Sequence, residues 1–268
     1  MTESYDFSIK KRIVVKIGSS LIVDQETGAR QQWISNLASD IASFTSLGYE
    51  IIIVSSGAIA LGVQEMSIND NTNKNNLTLP QKQAMSAIGQ ISLMNIYHHI
   101  FKKYSLNVAQ ILLTASDCDS VNRRNNFSNT ISELLNKKII PIINENDSIS
   151  VDEIKIGDND TLAAHIAKIT NADLMILFSD IDGLYDDNPK INKSAKFIKK
   201  VTNIDDSIIL MAGDSLSKVG TGGMITKIQS AKMLQNSKCD TIITSGIELN
   251  CLAKLINHQQ KFTVFTNQ

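Results

Sequence analysis

Short apolar blocks alternate along the chain with longer stretches whose apolar residues recur every three or four positions. The blocks at 12–17, 50–55, 107–113, 139–143, 174–178, 240–243 and 262–265 predict strands. Several, such as Ile51-Ile52-Ile53-Val54, are apolar at every position, as strands covered on both faces require. The stretches 31–47, 57–66, 81–104, 127–136, 160–169, 226–235 and 248–256 predict helices. Strand and helix in alternation imply an α/β fold with a mainly parallel sheet. Pro80 stands where the longest helix would begin, a position proline tolerates. Pro141 lies inside a predicted strand and points to an edge or an irregular ladder position. The tract Asn69–Asn76 reads as a polar surface loop. Residues 181–218, richer in charge and turn signals, read as a smaller nucleotide-side lobe of one compact domain with a central cleft.

Composition narrows the function classes. The 268 residues suffice for one substantial core, and 43% hydrophobic with 20% charged residues is ordinary for a globular protein. A formal net charge of −1 gives no basic field for nucleic acid. No apolar run reaches the ~18 residues of a membrane span, and the polar N-terminus is unlike a secretory signal. These features lead to an expectation of a cytoplasmic protein bound to neither nucleic acid nor membrane. Cys118, Cys239 and Cys251 lack zinc-site spacing and read as thiols in a reducing compartment. The four histidines form no metal-ligating pattern.

Four segments carry candidate chemistry, and neither a Walker A loop nor a dinucleotide fingerprint is among them. Lys16, in an otherwise apolar strand, precedes Gly18-Ser19-Ser20, where a lysine at a strand end would face the ligand crevice of an open α/β sheet. Ser55-Ser56-Gly57 ends a second strand and opens a helix, a turn suited to an anion. Asn144-Glu145-Asn146-Asp147, followed by Lys155-Ile156-Gly157-Asp158-Asn159-Asp160, gathers carboxylates and amides as recognition of a small polar ligand would need. An aspartate there could also orient phosphate-binding lysines by ion pairing. Ser179-Asp180-Ile181-Asp182-Gly183 closes a further strand. Beyond these, Gly220-Thr221-Gly222-Gly223-Met224-Ile225-Thr226-Lys227 puts three glycines and then a lysine at the mouth of a helix, a phosphate-binding arrangement. Taken singly, each has a plainer alternative: a snorkelling lysine, a helix cap or a glycine-rich turn.

Taken in order, the pieces V-V-K-I-G-S-S, V-S-S-G-A-I-A-L-G, I-N-E-N-D, I-K-I-G-D-N-D, S-D-I-D-G-L-Y and G-T-G-G-M-x-T-K resemble the glutamate 5-kinases of the amino acid kinase superfamily. The resemblance runs from about residue 10 to near the C-terminus. It implies a three-layer αβα sandwich around a mainly parallel sheet of about eight strands. It implies one kinase domain over residues 1–268, its N-terminal half mainly on the amino-acid side and about 170–268 mainly on the ATP side. The activity implied is ATP-dependent phosphorylation of the γ-carboxylate of L-glutamate, the first step of proline biosynthesis. Another acceptor, such as aspartate or N-acetylglutamate, or a non-catalytic sensor on the same fold, are the alternatives. Lys16, Lys227 and Asp160 are the implied catalytic group, with Asp160 holding both lysines. Ser56, Asp147 and Asn159 are implied to bind glutamate. Lys16, Ser179, Asp180 and the run Thr221, Gly222, Gly223, Met224, Ile225, Thr226 and Lys227 are implied to bind ATP. Mg²⁺, a homo-oligomer, proline feedback through the 57–150 region and a downstream glutamyl phosphate reductase are further implications. Many members of the family carry a C-terminal PUA domain, which this sequence is expected to lack.

Overall fold

A computed structural model describes residues 5–24, 26–66, 77–149, 159–212 and 223–266. The first part of the chain forms β1 (Arg12–Ile17), α1 (Ser19–Ile22), β2 (Val23–Asp24), β3 (Gly28–Ala29), α2 (Gln31–Ser46), β4 (Glu50–Val54), α3 (Ala58–Glu65) and α4 (Leu79–Lys102). The middle adds β5 (Asn107–Leu113), α5 (Ala115–Asp119), α6 (Val121–Asn136), β6 (Ile139–Glu145), α7 (Asn159–Ile169) and β7 (Leu174–Ser179). The last part adds β8 (Leu184–Tyr185), β9 (Phe197–Ile198), β10 (Lys200–Val201), α8 (Asp206–Leu210), α9 (Met224–Leu234), β11 (Asp240–Ser245), α10 (Cys251–Ile256) and β12 (Phe262–Phe265).

Eight strands join one sheet in the order β10-β12-β11-β7-β1-β4-β6-β5. From β11 to β5 all neighbours are parallel, and β12 runs antiparallel to β11. Alternation along β1 sends Ile13, Val15 and Ile17 to one face, packed with Trp33 and Ile34 of α2, Leu93 of α4 and Leu252 of α10. Val14 faces the other way, with Phe127 of α6, Leu162 of α7 and Ile228 of α9. Two cores with a sheet between them make the three-layer sandwich that the motifs imply.

The chain leaves β1 for β4 on one side and returns to β7 on the other. That reversal opens a crevice above the C-terminal ends of β1 and its neighbours, the usual ligand site of open α/β sheets. Pro141 is not on an edge strand. β6 lies inside the sheet, but its ladder to β4 begins only at Ile142. The Ile143 carbonyl accepts the Ser55 N–H from that side at 2.8 Å. Pro141, two residues earlier, therefore turns its missing N–H toward β4 just before the ladder starts. The three cysteines are free and buried. Burial is the main reason their thiols are pushed up, to about 11 for Cys118 and about 12 for Cys239 and Cys251, which leaves them protonated and unreactive at neutral pH.

Candidate active site

Lys16 follows Val14 on the same face of β1, one step short of the strand's end, so its side chain emerges toward α7. There it meets Asp160, in the first turn of that helix, with Nζ 2.5 Å from Oδ1. Lys227, in α9, reaches the same carboxylate from the other side, Nζ to Oδ2 at 3.0 Å. The Thr226 hydroxyl has Asp160 Oδ2 at 3.0 Å and the Gly223 carbonyl at 2.8 Å as acceptors for its one proton. All three charges are buried: Asp160 is fully covered, Lys16 is 4% exposed and Lys227 3%. Burial opposes ionisation of Asp160, but the two ammonium groups outweigh it and hold the carboxyl below its usual range. Among the described residues, one carboxylate against two lysines gives this cluster a net positive charge, which would favour an incoming polyanion.

Asn159, beside Asp160, works on the neighbouring turn. The two protons of its Nδ2 have three oxygens within reach: the Ser55 carbonyl at 2.8 Å, the Ser56 hydroxyl at 2.7 Å and Asn144 Oδ1 at 2.9 Å. The backbone carbonyl can only accept, so this contact sets which way round the amide lies. Asn144 in turn donates to Gln90 Oε1 of α4 at 2.9 Å. Ser56 is brought here because Gly57 adopts φ +100°, a left-handed conformation that turns the chain sharply from β4 into α3. Asp147 lies in the turn after β6, where the Ser86 hydroxyl donates to its Oδ2 at 2.9 Å. A cavity of about 280 Å³ opens beside it, bounded by Ser86 and Gln90 of α4, Gln110 of β5, and Glu145 and Asp147.

A sequence model described as the Amino acid kinase family matches residues 11–245. Glutamate 5-kinase from Pelagibacter ubique is 46% identical over 255 residues, 95% of this chain and 68% of that protein. Glutamate 5-kinase from Clostridium acetobutylicum is 41% identical over 254 residues, covering 95% of this chain and 94% of that one. The chain belongs to the glutamate 5-kinases of the amino acid kinase family. Solved structures with the same fold include UMP kinase from Ureaplasma parvum, with TM-score 0.65, 19% identity and coverage of 96% and 99% of the two chains. Carbamate kinase from Giardia lamblia bound to AMP-PNP has TM-score 0.68 at 13% identity, covering 97% and 99%.

Within this glutamate 5-kinase framework, the crevice gathers Lys16, Asp160, Lys227 and Thr226 at one point, with Ser56 and Asn159 beside them. Ser179 and Asp180 stand one strand away. Ile17 is paired with Phe178, so Ser179 comes level with Gly18, and the Ser179 hydroxyl donates to Asp180 at 3.2 Å. Gly223 caps α9, and Met224 and Ile225 form its first turn. Thr221 and Gly222 lie outside the described residues, as do Lys155 to Asp158. Among the described residues, a Cβ at Gly18 would meet only the Phe178 carbonyl, at 3.9 Å. Ser86 and Gln90 escaped the sequence reading. Their signal is a pair of polar residues one turn apart on the buried face of α4, in line with Leu93 and Tyr97.

Proposed function

We propose that this glutamate 5-kinase family member transfers the γ-phosphoryl group of ATP to the side-chain carboxylate of L-glutamate, giving γ-glutamyl phosphate and ADP. The observation that carries the reading is the convergence of Lys16 and Lys227 on Asp160 at the crevice of the sheet. A carboxylate is a competent nucleophile at neutral pH, so the reaction needs no general base. One carboxylate oxygen bonds to γ-phosphorus as the bond to the β-bridging oxygen breaks, and that electron pair leaves on ADP. No proton has to move. What the protein supplies is alignment and charge.

In this reading Lys16 and Lys227 sit on the oxygens of the transferring phosphoryl group, and Asp160 keeps both aimed before substrate arrives. The start of α9, with Gly223 to Thr226, offers backbone N–H groups to phosphate, and Gly18 lets the β1 turn approach it. Ser179 and Asp180 line the nucleotide side, which assigns about 170–268 mainly to ATP. Ser56, Asn159 and Asp147 hold glutamate. With Nδ2 of Asn159 turned toward Ser55, its Oδ1 is the atom presented as acceptor, as an ammonium group requires. Mg²⁺ fits as a companion of ATP: both oxygens of Asp160 already face lysines, and among the described residues no three His, Cys, Asp or Glu side chains converge. Bound with the nucleotide, it would offset phosphate charge while keeping several waters.

Cytoplasmic residence, assembly into a homo-oligomer, inhibition by proline and hand-over of the labile acyl phosphate to a reductase complete the proposal. Among the described residues no helix is long and apolar enough to cross a membrane. The test is an acceptor screen with ATP and Mg²⁺ in which acyl phosphate is trapped as hydroxamate. Signal with L-glutamate that disappears in Lys227→Ala is the expected result. Signal only with aspartate or N-acetylglutamate would move the substrate, and nucleotide binding without turnover on any acceptor would make the chain a sensor.

A further inference from the structure

Two of the three groups assigned to glutamate hang from one pair of helices. Ser56 directly precedes the Gly57 cap of α3, and Asp147 is reached by Ser86 of α4. These helices cross closer than ordinary side chains allow. A Cβ at Gly62 would lie 1.9 Å from the Met85 carbonyl oxygen, and one at Gly89 would lie 1.9 Å from that of Ala58. Met85 is the residue before Ser86, and Ala58 opens α3. The backbone-to-backbone contact therefore sits next to both functional points and fixes the spacing between them. Ser86 itself is 4% exposed, so its hydroxyl has little water to turn to. Asp147 is only half-buried, in a turn that no regular ladder restrains.

From this geometry we infer that Ser86 is a positioning residue for the glutamate site: it holds Asp147 at the wall of the 280 Å³ cavity, at a distance from Ser56 set by the α3–α4 crossing. The inference rests on the assignment of Asp147 to glutamate binding. Ser86 does not touch the reacting atoms, so its loss acts on substrate capture rather than on the chemical step. A hydrogen bond to a charged group carries enough free energy for its removal to weaken binding about tenfold.

Steady-state kinetics on the full chain with L-glutamate and ATP test this. Ser86→Ala is expected to raise KM for glutamate about tenfold, with kcat within about twofold and KM for ATP unchanged. Ser86→Thr, which restores a hydroxyl, is expected to recover most of the loss. In an Asp147→Asn background, Ser86→Ala should add little. Failure of Asp147→Asn itself to raise the glutamate KM would remove the assignment of Asp147. If that variant raises KM while Ser86→Ala does not, Asp147 stays and the role of Ser86 is overturned. Additive effects in the double variant, or equal rises in both KM values, would likewise overturn it in favour of a general packing role.

Discussion

Asp160 has no exposed surface, and a carboxylate so placed ionises only because Lys16 and Lys227 stand against its two oxygens. Replacing Asp160 with alanine would leave two buried ammonium groups facing each other. A cost of about 3–5 kcal/mol is expected, read as a lower urea midpoint. The sign of the pH dependence follows from the lowered pKa of Asp160. Its contribution is fully present above the ordinary carboxylate value of 3.8 and is lost as pH falls through the still lower folded-state value. Acid unfolding curves of the wild type and Asp160→Asn should therefore differ most above pH 3.8 and draw together below it. Lys16→Ala and Lys227→Ala are each expected to lower kcat by ~10²–10³, about 2.7–4 kcal/mol of barrier, in hydroxamate assays. At this scale the sequence is informative where a residue type contradicts its surroundings. Lys16 interrupts a buried strand, and Lys227 follows three glycines; both are conspicuous. Ser86 is not, because a serine on a helix is unexceptional until the turn carrying Asp147 comes across the sheet to meet it.

The crossing of α3 and α4 belongs to the scale of whole elements. Gly62→Ala or Gly89→Ala must push the helices apart or bend them, and overpacking of this kind typically costs about 1–3 kcal/mol. Chemical denaturation should show a lower midpoint with an unchanged slope for either variant. Elements with a full repeat of apolar residues are legible from sequence, as β1, β7 and α2 illustrate. The two-residue strands β2, β3, β8, β9 and β10 are not, since two residues cannot display a period. α6 starts at Val121 rather than at 127 because Asn122-Arg123-Arg124-Asn125-Asn126 forms a largely solvent-facing opening with no apolar rhythm. α4 starts at Leu79, two residues before the predicted 81, with Gln81 accepting the Thr78 N–H at 2.9 Å.

At the scale of the molecule, the sheet places its first strand near the centre and its last near one edge. β1 lies between β4 and β7, whereas β12 is inserted between β11 and β10. Among the described residues, β10 enters the main sheet through β12, by Lys200 with Val264 and Val201 with Phe265. Deleting 262–268 should then release the segment around β10, and limited proteolysis should cut within 186–212 far faster than in the intact chain. The strand order has a further consequence for the growing polypeptide. On the ribosome, β1 must wait for β4 and later β7 before both its flanks are covered. β10, made some sixty residues before β12, cannot take its place beside that strand until β12 clears the exit tunnel. That edge of the sheet is thus closed late, by a strand made well after the central ones it extends.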